Sequence, residues 1–317
     1  MQLIKLRTIV LSLGLFFLLA LTLSMRSQLE LSSPTGPYTV GRTRIHWVDT
    51  SRPEVLTEDP GDFREVATLI WYPAEAGSGV DAGYFPDLAS VSNALIQSGE
   101  VAWWQVFSLR FVRSEGLLDA SPLRGQGAFP VVFLSPGNGT NVEFYSALAS
   151  EIASHGYIVI GLNHPHDVPA VELSNGQVAA YNKKQWELSV EAHQAYSAER
   201  IKVRTADVLY AFDRLGEMNA SGLFAGIINL DAVAVAGHSL GGITASEACK
   251  ADTRIKACLN FDGIQKGGPF SMDETAIPPR QSFLFLTKES QLPAKWLERF
   301  ESMPEGYWVV VHGASHQ

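Results

Sequence analysis

The sequence predicts an α/β protein with a mostly parallel, doubly wound sheet of eight strands and helices on both faces. Three observations predict it. Short continuous apolar runs, rich in β-branched residues, recur along the chain: "FPVVFLS", "YIVIGLNH", "AVAVAGHS", "ACLNFDG", "SFLFLTKES" and "YWVVVHG". Runs of that kind suit strands buried on both faces. Segments with helical periodicity separate them. Turns carrying Ser, Asp and His follow several of the runs, where α/β sheets place their sites.

Taken in order, the chain opens with Lys5 and Arg7 before an uncharged apolar run from Thr8 to Met25. The run is longer than the roughly 7–15 apolar residues of a cleaved signal and shorter than the ~20 of a spanning helix. It predicts export, with residues 1–25 either a cleaved signal, for which Thr22 and Ser24 offer a small-residue site, or a retained anchor. The domain is then expected outside the cytoplasm, whether periplasmic, secreted or membrane-anchored. Residues 26–36 are polar and turn-rich and read as a linker, and 37–317 as one folded domain. "YTVGRTRIHWVD" alternates like a half-buried strand, with "EVATLIWYP" as its antiparallel partner. Helices are predicted in "NVEFYSALASEIASH" and "AERIKVRTADVLYAFDRL", from Leu240 onward, and in "PAKWLERFESM". Residues 167–194 fit neither period and read as an excursion from the core. Residues 93–111 gather Trp103, Trp104, Phe107 and Phe111 outside the sheet, as a lid, a lipid-touching surface or plain core cover.

Composition excludes some functions. A formal net charge of -9 lacks the basic face that nucleic acid requires. Two cysteines, Cys249 and Cys258, make no disulfide framework and read as small core residues rather than a bridge. No His/Cys cluster has metal-ligand spacing, and nothing calls for a cofactor.

The chemistry begins after "AVAVA", at Gly237-His238-Ser239-Leu240-Gly241-Gly242. This is G-x-S-x-G between a strand and a helix, the turn that exposes a nucleophilic serine and leaves no room for neighbouring side chains. A serine hydroxyl needs a base, and the base needs an acid to fix its tautomer. Asp262, after the next strand and before a glycine, is placed as the acid. Asp252 and Asp273 are poorer candidates. After the last strand comes His316, the base by chain order Ser…Asp…His, with His312 as the rival. His238, His155, His164 and His166 read as structural. Backbone donors for an oxyanion are expected from Leu240, following the nucleophile, and from Asn138 in Ser135-Pro136-Gly137-Asn138-Gly139-Thr140. Activity on an ester would pass through an acyl-enzyme.

These segments together resemble the α/β-hydrolases of the platelet-activating-factor acetylhydrolase type (plasma/isoform II), relatives of bacterial dienelactone-hydrolase-like esterases. The resemblance spans most of residues 36–317 and rests on "GPYTVG", "WYP", "SPLRGQGAFPVVFLSPGNG", "LASEIASHGYIVIGLNH", "VAVAGHSLGG", "NFDG" and the closing "HQ". It implies a calcium-independent serine esterase or lipase acting on short, oxidised or phospholipid acyl esters, with possible membrane-surface contact. By position it places the triad on Ser239, Asp262 and His316 and the oxyanion donors on Asn138 and Leu240. Two features depart from the family pattern. Ser135-Pro136-Gly137 stands where Ser-His-Gly is usual, and only Gln317 follows the histidine where an apolar segment is usual, so a truncated product is expected. A polyesterase, cutinase-like enzyme or general carboxylesterase with the same triad, and a silent hydrolase-fold binding protein, stay open as alternatives.

Overall fold

The computed structural model describes residues 31–263, 278–288 and 294–316, together with Gly14. The expected export segment 1–25, apart from Gly14, and the weak acid candidate Asp273 lie outside these residues. The first pair of strands, β1 (Thr39–Pro53) and β2 (Phe63–Ala74), is antiparallel from Thr39 opposite Ala74 to Asp49 opposite Arg64. An outlying block follows: β3 (Val80–Gly83), α1 (Leu88–Ser98), α2 (Trp103–Leu109) and β4 (Arg113–Leu118). The alternating part then runs β5 (Phe129–Ser135), a 3-10 turn at Val142–Tyr145, α3 (Ser146–Ser154) and β6 (Ile158–Asn163). A small hairpin of β7 (Ala170–Glu172) and β8 (Val178–Ala180) and a second 3-10 turn at Lys183–Glu187 lead into α4 (Val190–Ala220). The chain continues through β9 (Ile228–His238), α5 (Leu240–Ala251), β10 (Ala257–Phe261), β11 (Ser282–Thr287), α6 (Ala294–Glu301) and β12 (Gly306–Val310).

The main sheet has the order β12-β11-β10-β9-β5-β6-β2-β1-β4-β3. It is parallel from β12 to β6, and β2 runs antiparallel to both its neighbours. The sheet has ten strands rather than the eight expected. The extra two, β3 and β4, carry no continuous apolar run and form by pairing at the edge of β1, a tertiary effect without a local signal.

Alternate residues of each strand point to opposite faces, and both faces are covered. Ile70, Tyr72, Val131 and Phe133 pack with Val208, Phe212 and Leu215 of α4, Ile243 of α5 and Trp296 of α6. Leu69, Trp71, Val132 and Leu134 face Ala149 and Ala153 of α3. Each large apolar side chain so buried contributes roughly 1.5–3 kcal/mol. The 167–194 excursion is the β7–β8 hairpin plus the start of α4, which Ser189 caps by accepting from the Ala192 N–H.

Two expectations are corrected. Cys249 and Cys258 are fully buried, as core cysteines would be, but they form a disulfide. The short reversal between α5 and β10 brings their Cα atoms to 6.4 Å, within bridging range, which a cysteine count cannot show. The run "YWVVV" is not buried: β12 is an edge strand, and Tyr307 and Val309 are exposed.

Candidate active site

Strand β9 delivers the chain to a sharp turn. Ser239 has φ 55° and ψ -121°, a conformation that costs a non-glycine residue on the order of 1–3 kcal/mol and persists only where its surroundings impose it. Here they do. The Ser239 N–H donates to the Phe261 carbonyl at 2.9 Å, and the Ser239 carbonyl accepts the Gly242 N–H at 2.9 Å as α5 begins. A side chain on Gly237 would run into the Gly241 carbonyl, and one on Gly241 into the Ser135 and Pro136 carbonyls. The glycines therefore let α5 start against two strand ends, and the turn leaves Ser239 half-buried at the sheet's carboxyl edge.

His316 and Asp262 meet that serine. His316 Nε2 lies 2.9 Å from Ser239 Oγ, and His316 Nδ1 lies 2.6 Å from Asp262 Oδ2. An ionised carboxylate only accepts, so Nδ1 carries the proton and Nε2 presents a lone pair to the serine hydroxyl. The second carboxylate oxygen of Asp262 accepts from Thr287 Oγ1 at 3.0 Å. Asp262 itself is held at φ 52°, with its N–H donating to the Leu286 carbonyl. Burial pushes its carboxyl group up, but the hydrogen bonds from His316 and Thr287 outweigh it and hold the group below its ordinary value. It is ionised at neutral pH. The rival His312 is exposed, and Asp252 is paired with Arg254 instead.

The loop after β5 borders the same turn. A side chain on Gly137 would stand 3.6 Å from the Ser239 Cβ. The Gly137 N–H donates to Tyr145 Oη at 3.2 Å and the Gly139 N–H to the Asp167 carbonyl at 2.9 Å. Among the hydrogen bonds of the described residues, none uses the N–H of Asn138 or of Leu240. The Asn138 side chain is fixed by Tyr181 Oη at 3.1 Å and Gln185 Oε1 at 3.0 Å, so the 167–194 excursion braces this loop.

Beneath the loop lies a network that the sequence did not disclose. Arg204 Nη1 donates to the Pro136 carbonyl at 2.9 Å, while Arg204 and Arg200 grip Asp167. Ser135 Oγ lies 3.0 Å from His164 Nε2, and His164 Nδ1 lies 2.8 Å from Asp207 Oδ2. Asp207 is held by Nε and Nη2 of Arg64 and by Arg52. Ser135, His164, Asp167, Arg204 and Asp207 are all fully buried. Burial pushes the His164 imidazole down to about 4, with Arg204 and Arg64 adding to the effect against Asp207, so the ring is neutral.

The same architecture is found among known proteins. The sequence profile of the platelet-activating factor acetylhydrolase, isoform II family matches residues 23–290 of the 317. The chain belongs to that family. Among similar curated proteins is a probable 1-alkyl-2-acetylglycerophosphocholine esterase from Arthroderma benhamiae. It is 25% identical over 263 residues, covering 77% of this chain and 61% of that protein. The platelet-activating factor acetylhydrolase of Cavia porcellus is 24% identical over 303 residues, covering 89% of this chain and 66% of its own length. The chain thus spans about three fifths to two thirds of these relatives. A solved ferulic acid esterase from Streptomyces cinnamoneus superposes with a TM-score of 0.70 at 24% identity, over 90% of this chain and 77% of that one. The fold is that of the α/β-hydrolases.

Several groups around the site carry no sequence signal as neighbours of it. Thr287 ends a strand read only as apolar. Tyr145 lies in a turn read as helix. Asn260 accepts the Gly263 N–H at 2.7 Å and donates to Ser246 at 3.2 Å, fixing the turn that follows Asp262.

Proposed function

We propose that the chain is a serine ester hydrolase of the platelet-activating factor acetylhydrolase type, with Ser239 as nucleophile, His316 as base and Asp262 as its orienting acid. The observation that carries this is the single imidazole bridging Ser239 Oγ at 2.9 Å and Asp262 Oδ2 at 2.6 Å. Ser239 Oγ attacks the ester carbonyl carbon as His316 Nε2 removes its proton. The oxyanion forms against the N–H groups of Asn138 and Leu240, with the N-terminal end of α5 adding its dipole. Collapse expels the alcohol, which takes the proton back from His316, and leaves an acyl-Ser239. Water, deprotonated by His316, attacks that acyl group, and the carboxylic acid leaves as Ser239 regains its proton.

The substrate class follows from the relatives, whose names specify platelet-activating factor and an alkylacetylglycerophosphocholine. The proposed substrate is a phospholipid or related ester with a short acyl group. Contact with a lipid surface would use Trp103, Trp104, Phe107 and Phe111, which are 53–69% exposed around α2 rather than serving as core cover. Export by residues 1–25 agrees with the disulfide, which oxidising compartments favour. The domain is taken as residues 37–317, with Thr35 and Gly36 tied to Glu151 and Ser154 of α3.

A chain-length series tests the substrate: phosphatidylcholines with acetyl, butyryl, hexanoyl and palmitoyl groups at the second position, beside simple aryl esters. Turnover should fall steeply from acetyl to palmitoyl. Equal turnover of all four phosphatidylcholines would reject the short-acyl preference, and turnover of the aryl esters alone would reject the phospholipid assignment and leave a general carboxylesterase.

A further inference from the structure

Three separate parts of the candidate site converge on the residue before the nucleophile. His238 Nε2 lies 2.8 Å from the backbone carbonyl oxygen of His316, and His238 Nδ1 lies 2.8 Å from Tyr145 Oη. Tyr145 Oη in turn accepts the Gly137 N–H. The partners fix every proton in this chain. A carbonyl only accepts, so Nε2 of His238 must carry hydrogen; in the neutral ring Nδ1 is then an acceptor, and Tyr145 donates to it. The sequence of donors runs Gly137 N–H to Tyr145, Tyr145 O–H to His238, His238 Nε2–H to the carbonyl of His316. Burial, together with the nearby His316 ring at 5.0 Å, pushes the His238 imidazole below its ordinary value and so favours this neutral form.

The segment that carries the base is little buried. His316 lies beyond the edge strand β12, and residues 311–315 are exposed. Its imidazole must nevertheless stay within hydrogen-bond reach of Ser239, since misplacement by about 1 Å can cost roughly 100-fold in rate. We infer that His238 is a positioning residue for the reaction: through Tyr145 on one side and the His316 carbonyl on the other, it locks the general base and the oxyanion loop to the nucleophile's own turn. A histidine thus serves at the variable position of G-H-S-L-G because one ring supplies a donor and an acceptor on opposite edges.

The inference rests on Ser239, His316 and Asp262 being the reacting groups, and the test separates the two claims. His238→Leu, His238→Gln and Tyr145→Phe are made in the full chain. Each is followed by thermal melting, kcat and KM on p-nitrophenyl acetate, and the rate of Ser239 labelling by a fluorophosphonate. His238→Leu should lower kcat and the labelling rate about 100-fold with KM changed by less than about 3-fold. Tyr145→Phe removes the hydrogen bonds to both His238 and Gly137 and should lower kcat at least about 10-fold. Glutamine also offers a donor and an acceptor, so His238→Gln should recover at least about 10-fold over the leucine variant. A folded His238→Leu protein with wild-type kcat, or a glutamine variant no faster than leucine, overturns the inference. If the leucine variant does not fold, Tyr145→Phe decides: unchanged kcat overturns it. A wild-type protein that neither turns over ester nor labels at Ser239 defeats the site assignment itself, and this inference with it.

Discussion

Two Ser–His–Asp chains with nearly the same hydrogen-bond geometry occur among the described residues. One is Ser239–His316–Asp262, with distances of 2.9 and 2.6 Å; the other is Ser135–His164–Asp207, with distances of 3.0 and 2.8 Å. They differ in what surrounds them. The first lies at the carboxyl edge of the sheet, its histidine and aspartate side chains 19% and 12% exposed, and its aspartate is hydrogen-bonded to a threonine rather than clamped by arginine. The second is fully buried, and its aspartate is clamped by Arg64 and Arg52. Its imidazole, at about 4, is too weak a base to take a proton from serine at neutral pH. Three side chains in a row do not make a nucleophile. Access for a substrate, and an acid whose charge is not already neutralised by arginine, are what the second chain lacks.

The sharpest way to break this comparison is to delete each serine hydroxyl. Ser239→Ala should lower ester turnover on the order of 10⁴-fold or more, while Ser135→Ala should stay within a few-fold of wild type. Equal losses would mean that the buried chain takes part in catalysis. The next effect is on stability. Removing one partner of a buried ion pair costs about 3–5 kcal/mol, so Asp207→Asn should lower the unfolding free energy from denaturant titration by that amount, because Arg64 would be left buried without its main counter-charge. Asp262→Asn, in a half-open site, should cost far less stability and most of the turnover.

The buried histidine also gives the protein an acid-sensitive window. His164 binds its proton at about 4 in the folded state and near 6.5 when unfolded. The unfolded chain therefore gains a proton first as pH falls. The stability tied to the neutral ring is complete above about pH 6.5 and is lost between there and about pH 4, on the order of 3 kcal/mol in all. Denaturant midpoints measured across that range should fall for wild type and fall less steeply for His164→Gln; parallel slopes would place the titration elsewhere. The smallest effect is expected at Thr287. Its valine variant removes one hydrogen bond to the Asp262 carboxylate, so kcat should drop roughly 10-fold with the melting temperature nearly unchanged.

The contrast also explains what the sequence could disclose. Ser239, Asp262 and His316 each follow a strand of a parallel sheet, and such sheets bring strand ends to one edge, so their order along the chain was informative. Gly237 and Gly241 were legible for the same reason, since the close approach of α5 to Ser135 and Pro136 demands them. The buried network was not. Arg200, Arg204 and Asp207 lie on α4 with the spacing of an ordinary solvated helix face, and only the fold turns that face inward. The disulfide escaped because two cysteines carry no pattern until a helix end and a strand start are brought together. Tyr145 and Thr287 are hydrogen-bonded to His238 and Asp262 from elements whose sequence speaks only of packing.

The most direct measurement is covalent. Wild-type protein, Ser239→Ala and His316→Ala would each be exposed to a fluorophosphonate at neutral pH, and the modified peptide identified by mass spectrometry. Labelling of Ser239 in wild type, abolished in the first variant and slowed at least about 1000-fold in the second, is the result expected of an activated serine. An unlabelled wild type, or label on Ser135 or any other residue, would contradict the assignment of Ser239, His316 and Asp262 as the reacting groups.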